Sequence, residues 1–186
     1  MNLTRRSTLV QVVAAVAVAL RDAGFTAVLT GGACASLYSD SAYTSYDLDF
    51  IIRAGGHQRV LDAALAAIGF RRDGDHYVHP DSRFFVEFPR GPLAISDDID
   101  IRPVNLKVGR TTTLALSATD ACRDRLAAFY YWSDRQSLKA AIEIARRHPV
   151  RMAAIRRWSE RENQLERFEE FRTALAALRS RNRRPR

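Results

Sequence analysis

Two aspartates separated by one residue, in Asp47-Leu48-Asp49-Phe50, are the part of this sequence best suited to chemistry. In a strand, residues two apart point to the same face, so Asp47 and Asp49 present two carboxylates side by side. Like charges that close repel each other and are costly half-buried unless a divalent cation neutralises them. Paired Asp side chains suit a hard ion such as Mg²⁺, which takes oxygen ligands and substrate phosphates. Fourteen residues separate Asp47 from an upstream Leu29-Thr30-Gly31-Gly32. A double glycine where a strand turns into a helix lets backbone amides approach an anion, and the N-terminus of the following helix favours phosphate. Alone, Gly-Gly is a turn and Asp-x-Asp a solvated strand face. Their order, contexts and separation together point to a metal–triphosphate site.

The elements that position these residues follow from hydrophobic spacing. A helix is expected over 7–23, stopped by Gly24, then a strand over 26–30 that ends in the glycine pair and a helix over 32–39. Residues 46–52 alternate as a strand. A helix over 57–68 follows Gly55-Gly56, and Asp73-Gly74 lies between two β-prone pieces, 69–72 and 76–79, as a hairpin. Further strands are expected over 83–88, 99–104 and 111–116. From Thr119 the pattern is helical: one helix capped by Thr119, one opened by Ser133 with Gln136 as a capping box and ending near Pro149, and one long helix over 150–178. The fold class is therefore α+β, a mixed β-sheet core flanked by helices and followed by a C-terminal helical annex. The expected division is a sheet domain over 1–118, a helical region over 119–178 that completes the active site, and a loose arginine-rich tail over 179–186.

Composition excludes several classes. The chain has 186 residues, 47% of them hydrophobic, which is neither disordered nor low in complexity. Cys34 and Cys122 have no metal-ligand spacing and are too few for a disulfide framework, so a reducing cytoplasm is the expected setting. Arg5-Arg6 before the apolar run from Leu9 to Leu20 loosely resembles a secretion signal. The run is too short to span a bilayer and leads straight into a helix stop, so a buried first helix is expected and no membrane partner. The net charge of +8 is unevenly placed. Residues 1–145 hold 16 basic and 16 acidic side chains, whereas 146–186 hold 13 arginines against 5 glutamates.

Gly31-Gly32 followed by Asp47-Leu48-Asp49-Phe50 resembles the signature of the polymerase-β-like nucleotidyltransferase superfamily. Val86-Glu87-Phe88-Pro89, Thr119-Asp120-Ala121-Cys122-Arg123-Asp124-Arg125-Leu126-Ala127 and Trp132-Ser133-Asp134-Arg135-Gln136 are similar to short bacterial nucleotidyltransferases near the MenT-type and AbiE-type toxins of toxin–antitoxin systems. The resemblance spans roughly residues 25–145. It implies that Asp47 and Asp49 hold the metals, Mg²⁺, of an in-line attack on the α-phosphate of a nucleoside triphosphate. It also implies that Gly31 and Gly32 cradle the phosphates and that Ser45 adds a hydroxyl contact. Arg123 or Arg125 would bind the triphosphate and Asp134 would be the later acid. On a helix Arg123 and Arg125 point about 200° apart, so one of them is expected at the site. Two departures stand out: no serine occupies either glycine position, and arginine stands where relatives often carry lysine, a planar fork in place of a point charge.

Superfamily members often carry a third carboxylate on a neighbouring strand, where it helps activate the acceptor hydroxyl. Glu87, flanked by Phe85, Val86 and Phe88, is preferred, because a charge in so apolar a strand needs a partner or a role. Asp100 in Ile99-Asp100-Ile101 is the competitor. His76 and His79 are read as ordinary hairpin residues, and Phe129-Tyr130-Tyr131-Trp132 as helix packing or a base-stacking run. The arginine-rich annex suits a polyanion, and with the resemblance the expected acceptor is the 3′ end of tRNA. That implies a growth-inhibiting toxin with a cognate antitoxin. The alternatives are a transferase acting on a small molecule or a protein hydroxyl, and a non-catalytic module that binds RNA or a partner. The same arginines interleave with glutamates at i,i+4, the pattern of a solvated helix face.

Overall fold

A computed structural model describes residues 3–40 and 43–181. In chain order the elements are α1 (Leu9–Asp22), β1 (Thr26–Leu29), α2 (Gly31–Tyr38), β2 (Asp47–Ala54), α3 (Gln58–Ala66), β3 (Arg71–Asp73), β4 (His76–Val78), β5 (Phe85–Glu87), β6 (Val104–Val108), β7 (Thr111–Ala115), α4 (Ala118–Trp132), α5 (Arg135–Arg147), α6 (Met152–Arg161) and α7 (Leu165–Arg181). The class is α+β, as the hydrophobic spacing implies. The chain divides into a sheet unit, Met1–Cys34 with Thr44–Leu116, and a helical unit, Ala35–Tyr43 with Ser117–Arg186. Of the expected tail over 179–186, residues 179–181 close α7 and 182–186 lie outside the described residues.

One mixed sheet of seven strands, in the order β3-β4-β5-β2-β1-β7-β6, forms the sheet unit. The central strand β2 pairs antiparallel with β1 and parallel with β5, and β1 pairs parallel with β7. α1 starts at Thr8, whose hydroxyl accepts the Gln11 N–H while the Gln11 side chain accepts the Thr8 N–H, a reciprocal cap that satisfies two orphan donors. Leu9, Val12, Val13, Val16, Ala17 and Leu20 recur at helical spacing and are buried, each of the larger ones contributing about 1.5–3 kcal/mol by leaving water. No described helix is long and apolar enough to cross a membrane. α3 is tied to β4 by the Tyr77 hydroxyl, which donates to Asp62 at 2.6 Å, with Gln58 bonded to both. Burial and the Asp62 carboxylate push the Tyr77 phenol up.

The helical unit packs α4 against α5 and α6, and α7 against α5 and α6. Phe129, Ile144, Trp158, Phe168 and Phe171 form its buried centre. Tyr130 stacks on Trp158, ring centroids 5.4 Å apart, and its hydroxyl meets Ser159 at 2.8 Å. His148 reaches the Tyr38 carbonyl at 2.8 Å, fastening the last residue of α2 within this unit. Cys34 and Cys122 are both buried, and neither forms a disulfide.

Four local expectations are corrected. No strand covers 99–103: Ile99 is 70% exposed, Pro103 has no N–H to give a ladder, and the chain pairs only from Val104 onward, turning at Gly109 (φ +59) into β7. The long terminal helix is two helices, α6 and α7, parted at Asn163 (φ +57), since Asn accepts the left-handed conformation that other side chains avoid. Ser117, not Thr119, caps α4 by accepting the Asp120 N–H at 3.1 Å; Thr119 instead accepts the Arg151 N–H. Ser133 is the left-handed end of α4 and Asp134 caps α5.

Removing the Ser117 hydroxyl leaves an α4 donor unpaired. Ser117→Ala is expected to lower stability by about 1 kcal/mol, read as an earlier urea midpoint at unchanged slope.

Candidate active site

β2 brings Asp47 and Asp49 to one face of the sheet, because Leu48 and Phe50 between and after them face the core and are fully buried. β5 lies parallel beside it with Phe85 opposite Asp47 and Glu87 opposite Asp49. In-register neighbours share a face, so Glu87 stands beside Asp49 with Cβ atoms about 5 Å apart. Next along, β4 places His76 opposite Glu87. The sequence pattern did not single out His76 for this row; only strand pairing across the Gly74 hairpin carries it there. Its ring packs edge-on against Phe85, and that of His79 against Phe70. Asp100 is elsewhere, in an exposed loop, with Arg102 at 3.8 Å.

The glycine pair is bound to the same strand. Thr30, just before it, donates its N–H to the Asp49 carbonyl at 2.9 Å. Gly31 opens α2 at φ +62, and a Cβ built there would lie 2.1 Å from Asp49 Oδ2. No side chain fits in that space, so the carboxylate of Asp49 rests directly over the backbone where α2 begins. Gly32 is buried behind it. Ser45, also buried, hydrogen-bonds the Asp47 carboxylate. Its hydroxyl thus orients a candidate ligand, where the resemblance implied a contact to phosphate.

Two carboxylates on one strand, one of them oriented by a hydroxyl, fit Mg²⁺, which binds through one or two carboxylates and completes its shell with substrate oxygens and water. Among the described residues no three His, Cys, Asp or Glu side chains converge as a metal site. Glu87 stands beside the pair on the neighbouring strand.

Arg123, Arg125 and Asp134 belong to the helical unit and have partners there. Arg123 is buried, paired with Asp120 at 3.0 Å and lying over the Trp158 ring. Arg125 pairs with Asp124 at 2.7 Å; burial alone would lower its pKa, and Asp124 with Tyr43 outweighs this and raises it. Asp134 accepts the Gln136 and Ser137 N–H groups and the Ser137 hydroxyl. Desolvation pushes the Asp134 carboxyl up, but these hydrogen bonds and Arg125 prevail and hold it below the usual carboxylate range.

No model of a known protein family matches the chain, and no curated protein matches it in sequence. Its fold is similar to the solution structure of the antibiotic-resistance factor ANT(2'')-Ia, with a TM-score of 0.50 and 12% identity over 93% of this chain and 96% of that one. At that identity the likeness is one of fold.

Gly31→Ala meets both the positive φ and the Asp49 carboxylate. It is expected to cost at least about 1–2 kcal/mol in stability, measured by thermal unfolding, and to abolish any metal-dependent nucleotide binding. Because the Asp134 pKa is lowered on folding, its contribution is complete above the unfolded value and is lost as pH falls through the folded one. Asp134→Ala is thus expected to cost about 1 kcal/mol at pH 7 and progressively less in urea unfolding series below pH 4.

Proposed function

We propose that this chain is a Mg²⁺-dependent nucleotidyltransferase that moves a nucleoside monophosphate from a nucleoside triphosphate to the 3′ end of tRNA, acting as a growth-inhibiting toxin restrained by an antitoxin. The observation that supports the donor half is the placement of Asp47, Asp49 and Glu87 on one sheet face, with the Asp49 carboxylate against the Cα of Gly31 at the start of α2. Asp47 and Asp49 would hold Mg²⁺, which when bound would supply neutralising charge to the triphosphate and its leaving group. The amides of Gly31 and Gly32 take phosphate oxygens at the positive end of α2. Ser45 holds the Asp47 carboxylate in its ligating orientation. Glu87 accepts the proton of the acceptor hydroxyl, whose oxygen bonds to the α-phosphorus as the bond to pyrophosphate breaks. Arg123, Arg125 and Asp134 serve to hold the helical unit together in this reading, since each has a partner there.

The acceptor half is supported by charge. The helical unit holds 17 basic and 10 acidic residues, the sheet unit 12 and 11. A second reading, transfer to a small hydroxylated molecule, is supported by the fold shared with an antibiotic-resistance factor.

The purified chain with Mg²⁺ and each labelled triphosphate, offered a total tRNA pool and separately a panel of hydroxylated small molecules, distinguishes the two. Label in the tRNA is expected; label in small molecules alone would select the second reading, and label in neither would remove both. Asp47→Asn and Asp49→Asn are expected to bring incorporation to background. Ser45→Ala should lower it about 10–100-fold. In a host, Asp47→Ala is expected to restore the growth that the wild type arrests.

A further inference from the structure

The helical unit carries two aromatic side chains that its core does not use. Trp132 is 77% exposed and Tyr131 49% exposed, while Phe129 and Tyr130 before them are buried. Successive helical positions turn about 100°, so the four-aromatic run splits into an inward pair and an outward pair. The Tyr131 hydroxyl is bonded to the Glu162 carboxylate, and the Trp132 ring stands edge-on to Tyr131 at 6.4 Å between centroids. Both rings are thereby held at the C-terminal end of α4.

The same end belongs to α6. The two helices run side by side in one direction: Thr119 meets Arg151 near their starts, Tyr130 meets Ser159 further along, and Tyr131 meets Glu162 just past the end of α6. Arg156 and Arg157 are exposed on α6. Among the described residues neither Arg156 nor Arg157 makes an ion pair. A rise of about 1.5 Å per residue puts Arg156 and Arg157 within about 9 Å of Glu162 along the axis. Most other arginines of the unit are engaged: Arg146 and Arg147 on Glu143, Arg172 on Glu169, Arg179 on a backbone carbonyl.

We propose that the Trp132–Tyr131 ring pair, with Arg156 and Arg157, forms a binding surface for single-stranded nucleic acid, a base stacking on Trp132 and the guanidinium groups taking backbone phosphates. A protein partner held by burial of apolar area needs a contiguous apolar patch. Among the described residues of this unit no other large hydrophobic side chain is exposed. An isolated aromatic step together with Arg156 and Arg157, which make no ion pair, is instead the chemistry of single-strand binding, where stacking is tolerant of sequence and charge tracks the backbone. A duplex buries its base faces and cannot use the rings. The inference deepens the reading of the acceptor as an RNA 3′ end, and it rests on that reading for its biological ligand.

The test is binding alone, in EDTA and without triphosphate. The full chain is titrated into a fluorescein-labelled single-stranded RNA of about twelve nucleotides, followed by anisotropy and by tryptophan emission. Trp158 is 1% exposed, so quenching on binding reports Trp132. Trp132→Ala is expected to weaken binding at least about fivefold and Trp132→Phe to retain most of it, because stacking needs an aromatic face. Arg156→Ala/Arg157→Ala should weaken all sequences alike and flatten the slope of log K against log salt by about 1.4. Circular dichroism of the variants should match the wild type. Affinity unchanged in Trp132→Ala, an equal loss on duplex of the same length, or no binding to the single strand at low salt would each overturn the proposal, the last leaving the rings to a protein partner. Incorporation of labelled nucleotide is measured separately. Trp132-dependent binding without any incorporation removes the transferase reading and leaves this surface; incorporation into RNA with Trp132-independent binding does the reverse.

Discussion

The contact on which the candidate site depends is the one between the Asp49 carboxylate and the Cα of Gly31. A side-chain atom there would sit 2.1 Å from Oδ2, so the carboxylate, the start of α2 and the end of β1 are one packed object. The Thr30 N–H on the Asp49 carbonyl closes the same joint from the backbone side. Gly31 thus does two things with one missing side chain: it adopts φ +62 without strain and it makes room for a charge. Everything else at the site is arranged around this joint. Ser45 aligns Asp47, and strand pairing sets Glu87 beside Asp49. A carboxylate placed by such packing is presented in one geometry before any ligand arrives, which is how a site avoids ordering costs at the moment of binding.

Charge in this protein divides by use. In the sheet unit, acids and bases nearly balance, and Asp47, Asp49 and Glu87 are on one face of β2 and β5. In the helical unit the excess is positive, and most arginines have structural work. Arg167 satisfies the Phe129 carbonyl at the end of α4 and lies over the Phe129 ring; Arg123 is buried against Asp120 and Trp158. Such residues are poor evidence for a nucleic-acid surface, because their guanidinium donors are already committed. Arg156 and Arg157 are the informative ones, since composition alone cannot separate an arginine that braces a helix from one that awaits a ligand.

Much of the sheet unit was legible from spacing. The strands over 26–30 and 46–52, the helices between and after them and the Asp73-Gly74 hairpin lie where hydrophobic periodicity and glycine punctuation put them, to within a few residues. The errors have particular causes. Residues 99–104 alternate like a strand, yet Pro103 removes a donor and Ile99 has no core to enter. The long helix after Pro149 keeps its period across residues 162–164, and only the left-handed turn at Asn163 breaks it. Caps were misplaced by one or two residues because Ser117, Thr119, Ser133 and Asp134 all have capping side chains, and backbone direction decides among them.

The sequence by itself determined that Asp47 and Asp49 share a face, because the two-residue period of a strand is a local property. It likewise determined the α+β class, the glycine pair before α2 and the uneven placement of charge. The apolar flanks of Glu87 already favoured it over Asp100, but only the tertiary structure, through the pairing of β2 with β5, sets it beside Asp49. It also decided that Gly31 admits a carboxylate, that Arg123 and Arg125 face acids of their own helix, and that Trp132 points outward. Each of these is a contact between residues distant in the chain or a choice of helix face. Local spacing constrains such contacts without selecting among them, and packing selects.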